Sequence, residues 1–168
     1  MTVTQPPSML TPQQLADDFG RNARIIAQQT AGLTHADSLL QPPTRGNCLN
    51  WVLGHIAVYR DYILDMLGEE KIVGEAPGAR YGRESAPILG DGEGVLPLDT
   101  LLAALDQGQG RIAAALARAS ADDLARDAPT SEPMTVGRRL CMLFWHDSFH
   151  TGQTEPLRQL AGTNDQVL

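Results

Sequence analysis

The sequence predicts an all-α protein, a four-helix bundle, and three observations carry that expectation. Four long stretches place apolar residues at helical spacing, none alternates as a strand would, and one long connection separates the second from the third. A chain of 168 residues can bury a core without disulfide staples, so residues 1–168 are expected to form one domain.

Residues 1–10, with Pro6-Pro7, are expected to be a loose tail. Thr11 reads as the N-cap of the first helix, with Pro12 at the first helical position and Gln14 completing a capping box. Leu10 and Leu15 bracket that cap as a hydrophobic staple. Leu15, Phe19 and Ile26, joined by Ala23 and Thr30, form the buried stripe, and Gly32 ends it. Gln41-Pro42-Pro43-Thr44-Arg45-Gly46 then breaks the chain. The second helix should run from about Asn47 to Leu67, with Gly68 as its stop. Val52, Ile56, Tyr59, Ile63 and Met66 share one apolar stripe of it, and Trp51, His55, Val58 and Tyr62 an adjoining one.

From Gly68 to Leu96 the chain holds seven glycines and two prolines and shows no sustained period. That is too long for an ordinary turn, and its length suits a crossover between helices that need not be antiparallel. Asp99 is expected to cap the third helix, with Leu102, Leu105, Ile112 and Leu116 on its apolar face. Ser120-Ala121-Asp122-Asp123 opens a short turn or helix. Thr135 caps the last long helix, and Pro156 is expected to kink it or end it early.

Composition narrows the function. A net charge of −7 disfavours a broad phosphate-binding surface, so small-molecule work is expected over nucleic acid. The longest apolar run, Cys141 to Trp145, is too short to span a bilayer. Met1 to Leu10 lacks the basic start and apolar core of a signal peptide, so a cytoplasmic protein is expected. Cys48 and Cys141 form no metal or disulfide pattern and read as small buried hydrophobes.

The most informative residues are histidines, of which the chain has four. His146 and His150 stand one turn apart, on one side of the last helix, close enough to hold one metal ion. His55 lies in the apolar run Trp51-Val52-Leu53-Gly54-His55-Ile56, where an unpaired imidazole would be costly. A histidine on a core-facing stripe is usually a hydrogen-bonded packing residue, and a four-residue spacing alone does not separate that reading from a ligand. His35, among polar residues at a helix break, reads as a surface residue. Three imidazoles would leave open coordination positions, the catalytic pattern. The glycine-rich segment is then the candidate lid. Asp147 stands where a zincin has its glutamate, and no further ligand follows, so that pattern fails; so does the di-iron bundle, which needs more glutamates. Gln153 could fix a ligand ring or satisfy the helix end, and Trp51 and Tyr59 could wall a pocket or be plain core. Asp61 and Asp147 read as solvated carboxylates before they read as partners for an imidazole.

Trp51-Val52-Leu53-Gly54-His55-Ile56 resembles the WxLGH(I/L) segment of DinB-like proteins, also called YfiT-like. His146-Asp147-Ser148-Phe149-His150-Thr151-Gly152-Gln153 is similar to their H(D/E)xxHxGQ segment, and Leu157-Arg158-Gln159-Leu160-Ala161-Gly162 to their LRxLxG tail. The resemblance covers the whole chain in helix order. It implies an up-down-down-up bundle with the crossover between helices two and three. It also implies a divalent metal, zinc or nickel, on His55, His146 and His150, and a homodimer. Family members include mycothiol- and bacillithiol-dependent S-transferases and a maleylpyruvate isomerase. The resemblance therefore implies a metal-dependent thiol transferase or hydrolase acting with a low-molecular-weight thiol, or a non-catalytic metal- or ligand-binding bundle. One departure stands out: Thr154-Glu155-Pro156 occupies the place where the family usually carries leucine or another apolar residue after Gly-Gln.

Overall fold

The computed structural model describes residues 10–163, so the tail expected over residues 1–10 lies outside the described residues except for Leu10. Among the described residues the helices are α1 (Pro12–Thr30), α2 (His35–Ser38), α3 (Leu49–Met66), α4 (Glu75–Gly78), α5 (Leu98–Arg118), α6 (Ala121–Ala125) and α7 (Val136–Gln159), with a 3-10 turn at Ala79–Tyr81. The four long ones are the four expected from periodicity.

Local chemistry sets their ends. Thr11 Oγ1 accepts from the Gln14 N–H at 3.2 Å, while the Thr11 N–H donates to Gln14 Oε1 at 2.8 Å, the expected box. Gly32 and Gly68 take φ of +76° and +80° just past α1 and α3, a conformation that side chains with a Cβ disfavour. The Asp99 cap is corrected. α5 begins two residues earlier than that cap would set, at Leu98 after Pro97, because that side chain is buried and its N–H is taken by His35 Nδ1 at 3.2 Å. Asp99 sits in the first turn instead, where a carboxylate faces the positive end of the helix dipole. α7 does not finish early at Pro156 but continues through it to Gln159. The carbonyl deprived of its donor belongs to exposed Gly152, where water can take that donor's place.

Paired residues fix the directions. Asn22 meets Asp147 and Arg158 meets Gln29, so α1 and α7 run parallel. His55 meets His146 while Trp51 meets His150, so α3 opposes α7. Asn50 bonds Leu96 and Arg60 bonds Leu105, so α3 and α5 run the same way. The bundle is therefore up-down-down-up, with α1 and α3 each packed between α5 and α7.

The core falls into two apolar clusters along the bundle. One holds Ile26, Val52, Leu53, Ile56, Leu101 and Leu105. The other holds Leu15, Phe19, Ile63, Ile112, Leu140 and Leu143. In register between them lie Asn22, Arg60 and Asp147, all buried, with Asn22 and Arg60 both donating to the Asp147 carboxylate.

The crossover is tied down rather than loose. Asp61 on α3 accepts the N–H groups of Ile72, Val73 and Gly74 at 2.7–3.0 Å. Tyr81 is fully buried; its hydroxyl donates to Asn50 Oδ1 at 3.0 Å and accepts from the Leu96 N–H at 2.7 Å. Its ring lies directly on Gly54, where an added Cβ would come within 2.1 Å of the ring. Gly54→Ala should therefore cost about 1–3 kcal/mol, the usual range for overpacking a core. Urea denaturation checks this, and an unchanged midpoint would show that Tyr81 yields freely.

Candidate metal centre

α3 carries Trp51, His55 and Tyr59 on successive turns, and α7 carries His146 and His150. The antiparallel register brings the two sets together. His55 lies 5.0 Å from His146 and 4.7 Å from His150 between ring centroids, and His146 lies 4.5 Å from His150. Each of the three offers a ring nitrogen within 4.8 Å of the others, and among the described residues no cysteine or carboxylate joins the cluster. The aromatic neighbours close its sides. Trp51 stacks on His55 at 4.5 Å, and Tyr59 stacks on His146 at 3.8 Å.

Hydrogen bonds set which nitrogens face inward. His55 Nδ1 lies 2.7 Å from the Tyr81 carbonyl, which can only accept, so that nitrogen carries the proton. His150 Nδ1 donates in the same way to Gln153 Oε1 at 2.9 Å. Both rings therefore present an Nε2 lone pair. His146 Nε2 stands 3.2 Å from His55 Nε2, while its Nδ1 is buried with no hydrogen-bond partner among the described residues. Two nitrogens that each sit roughly 2.0–2.1 Å from one tetrahedral zinc are about 3.3 Å apart, so the His55–His146 pair has the separation a divalent cation sets, with the His150 nitrogen within 4.8 Å of both. Buried carbonyl and amide partners of this kind orient metal-binding imidazoles in general.

Burial lowers the basicity of all three rings. It takes His55 from 6.5 to about 4, opposed by the Tyr81 carbonyl and reinforced by His150. It takes His146 to about 4 as well, helped by repulsion from His150 and His55. His150 is lowered too, with Gln153 and Asp147 pulling the other way. Neutral imidazoles at neutral pH are what metal ligation requires.

The two acidic candidates are elsewhere, and neither is solvated. Asp61 holds the crossover. Asp147 is 2% exposed and accepts from Arg60 Nε at 3.0 Å and Asn22 Nδ2 at 2.8 Å. Asn22 and Arg60 were the residues sequence reasoning missed. The signal was there: each sits on a buried stripe, Asn22 between Phe19 and Ile26, Arg60 between Ile56 and Ile63. His35 is likewise no plain surface residue, since it caps α5.

A cavity of about 410 Å³ adjoins the cluster through His150 and Trp51. Its outer wall is the Pro42–Asn47 loop with the end of α7, not the glycine-rich segment expected as the lid. That segment reaches the site through the Tyr81 carbonyl and through Ser85 Oγ, which accepts from Trp51 Nε1 at 2.9 Å.

An up-down-down-up bundle with three imidazoles gathered between its second and fourth long helices defines the class. The family model described as the DinB superfamily matches residues 19–154, and the chain belongs to that superfamily. Among solved structures it is similar to a conserved protein from Enterococcus faecalis, with a TM-score of 0.69 at 16% identity over 92% of this chain and 99% of that one. At that identity the likeness speaks for the fold alone. No match was found among curated proteins.

Unfolded imidazoles take up protons near 6.5, whereas folded His55 and His146 do so only near about 4. Between those values the unfolded chain binds more protons, so the stability of metal-free protein falls as pH drops through the window. Replacing both with glutamine should flatten the fall in Tm from pH 6.5 to about 4. An unchanged slope would contradict the burial of these rings as neutral groups.

Proposed function

We propose that the protein is a divalent-metal-dependent enzyme acting on a small molecule, with His55, His146 and His150 as the ligands. The observation that carries this reading is the convergence of three ring nitrogens, two of them with their protons directed away from the centre. Zinc and nickel both suit imidazole donors. A cation held there supplies Lewis acidity and an exchangeable position for a water or a low-molecular-weight thiol. The chain's own groups do the rest. The Tyr81 carbonyl and the Gln153 amide hold two rings in the ligating tautomer, and Trp51 and Tyr59 shield the donors from bulk water. No carboxylate stands ready as a general base among the described residues, which favours chemistry whose nucleophile is activated at the centre itself: thiol transfer to a small electrophile, or hydrolysis.

The setting we propose is the cytoplasm, where Cys48 and Cys141 stay reduced; both are free, and burial raises both thiols. No helix among the described residues is long and apolar enough to cross a membrane. We also assign the exposed side chains of Tyr62, Met142, Trp145 and Phe149 to a homodimer contact beside the site. Sedimentation should then show a two-chain species that Trp145→Asp dissolves, and a monomeric parent would refute the assignment.

Elemental analysis of tag-free protein beside His150→Ala tests the central reading. Roughly one zinc or nickel per parent chain and a loss of most of it in the variant is expected. Equal trace metal in both, after reconstitution, would sink it. Metal without turnover of any thiol–electrophile pair would leave a binding bundle in place of an enzyme.

A further inference from the structure

The cavity beside His150 differs in chemistry from three others in the bundle. Three other cavities each include three charged side chains: Arg60, Asp99 and Asp106 between α1 and α5, Asp61, Lys71 and Glu75 under the crossover, and Arg118, Asp123 and Arg126 near α6. The cavity that shares His150 with the histidine cluster has none. A fifth of the chain is charged, 20%, so a wall of eleven residues without one charged side chain sets this cavity apart from those three. Arg45 and Glu155 adjoin lining residues in sequence, yet both are exposed and neither enters the wall. What does enter is rigid and apolar: the pyrrolidine rings of Pro42, Pro43 and Pro156 and the flat indole of Trp51, together with Leu157 and Leu160. Polar groups are confined to neutral ones on Thr44, Asn47 and Gln153.

We propose that this cavity takes an uncharged, planar apolar group, an aromatic or short unsaturated carbon skeleton, of the molecule that is activated at the histidines. The inference deepens the metal-enzyme reading and rests on it. Three physical arguments support it. An ammonium moved from water into this wall would meet no opposite charge, and a carboxylate lying in it away from the histidines would meet no cationic side chain, so leaving such a charge unpaired there is costly. The volume, about 410 Å³, is near the small end for ligand clefts, roughly 300–1,000 Å³, so it suits the reacting part of a small electrophile. Pro156 belongs to the argument as well. Its ring lines the cavity and adds an uncharged, apolar face to the wall beside Leu157 and Leu160.

Three ligands with a common metal-binding head test the proposal on zinc-loaded, tag-free protein: imidazole, phenylimidazole and the para-carboxylate of phenylimidazole, each titrated by calorimetry. Phenylimidazole should bind at least about tenfold more tightly than imidazole, the gain expected from burying a phenyl group. The carboxylate should lose most of that gain. Thr44→Arg, a change at an exposed position of the rim, should restore carboxylate binding and weaken selectivity for the neutral ligand. Equal affinity for imidazole and phenylimidazole, or tightest binding of the carboxylate by the parent, would overturn the inference while leaving the metal centre standing. A chain that takes up no zinc, read by elemental analysis before titration, overturns the metal reading and this inference together.

Discussion

The buried pair of Arg60 and Asp147 is the constraint on which the site depends. Arg60 comes from α3 and Asp147 from α7, joined at 3.0 Å with side chains 2% exposed each. Asn22 of α1 donates to the same carboxylate, and Arg60 also donates to the Leu105 carbonyl of α5 at 3.2 Å. All four long helices therefore meet at one polar layer between two apolar clusters. A buried ion pair adds little net stability over a hydrophobic replacement, but losing one partner costs about 3–5 kcal/mol. Its consequence here is register. Asp147 follows His146 directly, so slipping α7 by one turn to relieve the pair would carry both histidines away from His55. The apolar clusters alone would tolerate such a slip far better than the polar layer does.

A second dependence runs through the crossover. The segment between α3 and α5 contributes no side chain to the histidine cluster, yet the Tyr81 carbonyl sets the tautomer of His55. That carbonyl is held in place because the Tyr81 ring sits on Gly54 and its hydroxyl bridges Asn50 and Leu96. Gly54 stands next to His55 in sequence and has to be small for the crossover to approach. The glycine and the histidine of that motif thus serve one site by different means, one as a space and one as a donor. Gln153 plays the Tyr81 part for His150 from within its own helix.

Much of this was legible from the residues. The four helices were, because α1, α3 and α5 each bury a face that repeats at helical spacing and because Thr11 and Thr135 cap where such residues should. The histidine grouping was legible too, since His146 and His150 share a helix face and His55 lies in an apolar run. The polar layer was not. A lone Asn, Arg or Asp on a helix looks like a solvated residue until its partners on the neighbouring helices are known. The start of α5 was misjudged for a similar reason: Asp99 has the right chemistry for a cap, but Leu98 had to be buried and His35 was near enough to take its N–H. The wall of the cavity came from a loop packed against the far end of α7, a contact between residues more than a hundred apart. No local pattern announces it.

The most direct test of the account is X-ray absorption at the metal edge of the loaded protein, compared with the same spectrum of His55→Gln. Three imidazole nitrogens at about 2.0–2.1 Å, with one or more exchangeable oxygen ligands, are expected in the parent. The variant should show one imidazole fewer. In a sample freed of small thiols, a sulfur shell near roughly 2.3 Å, or a spectrum indifferent to the loss of His55, would contradict a centre built from these three histidines.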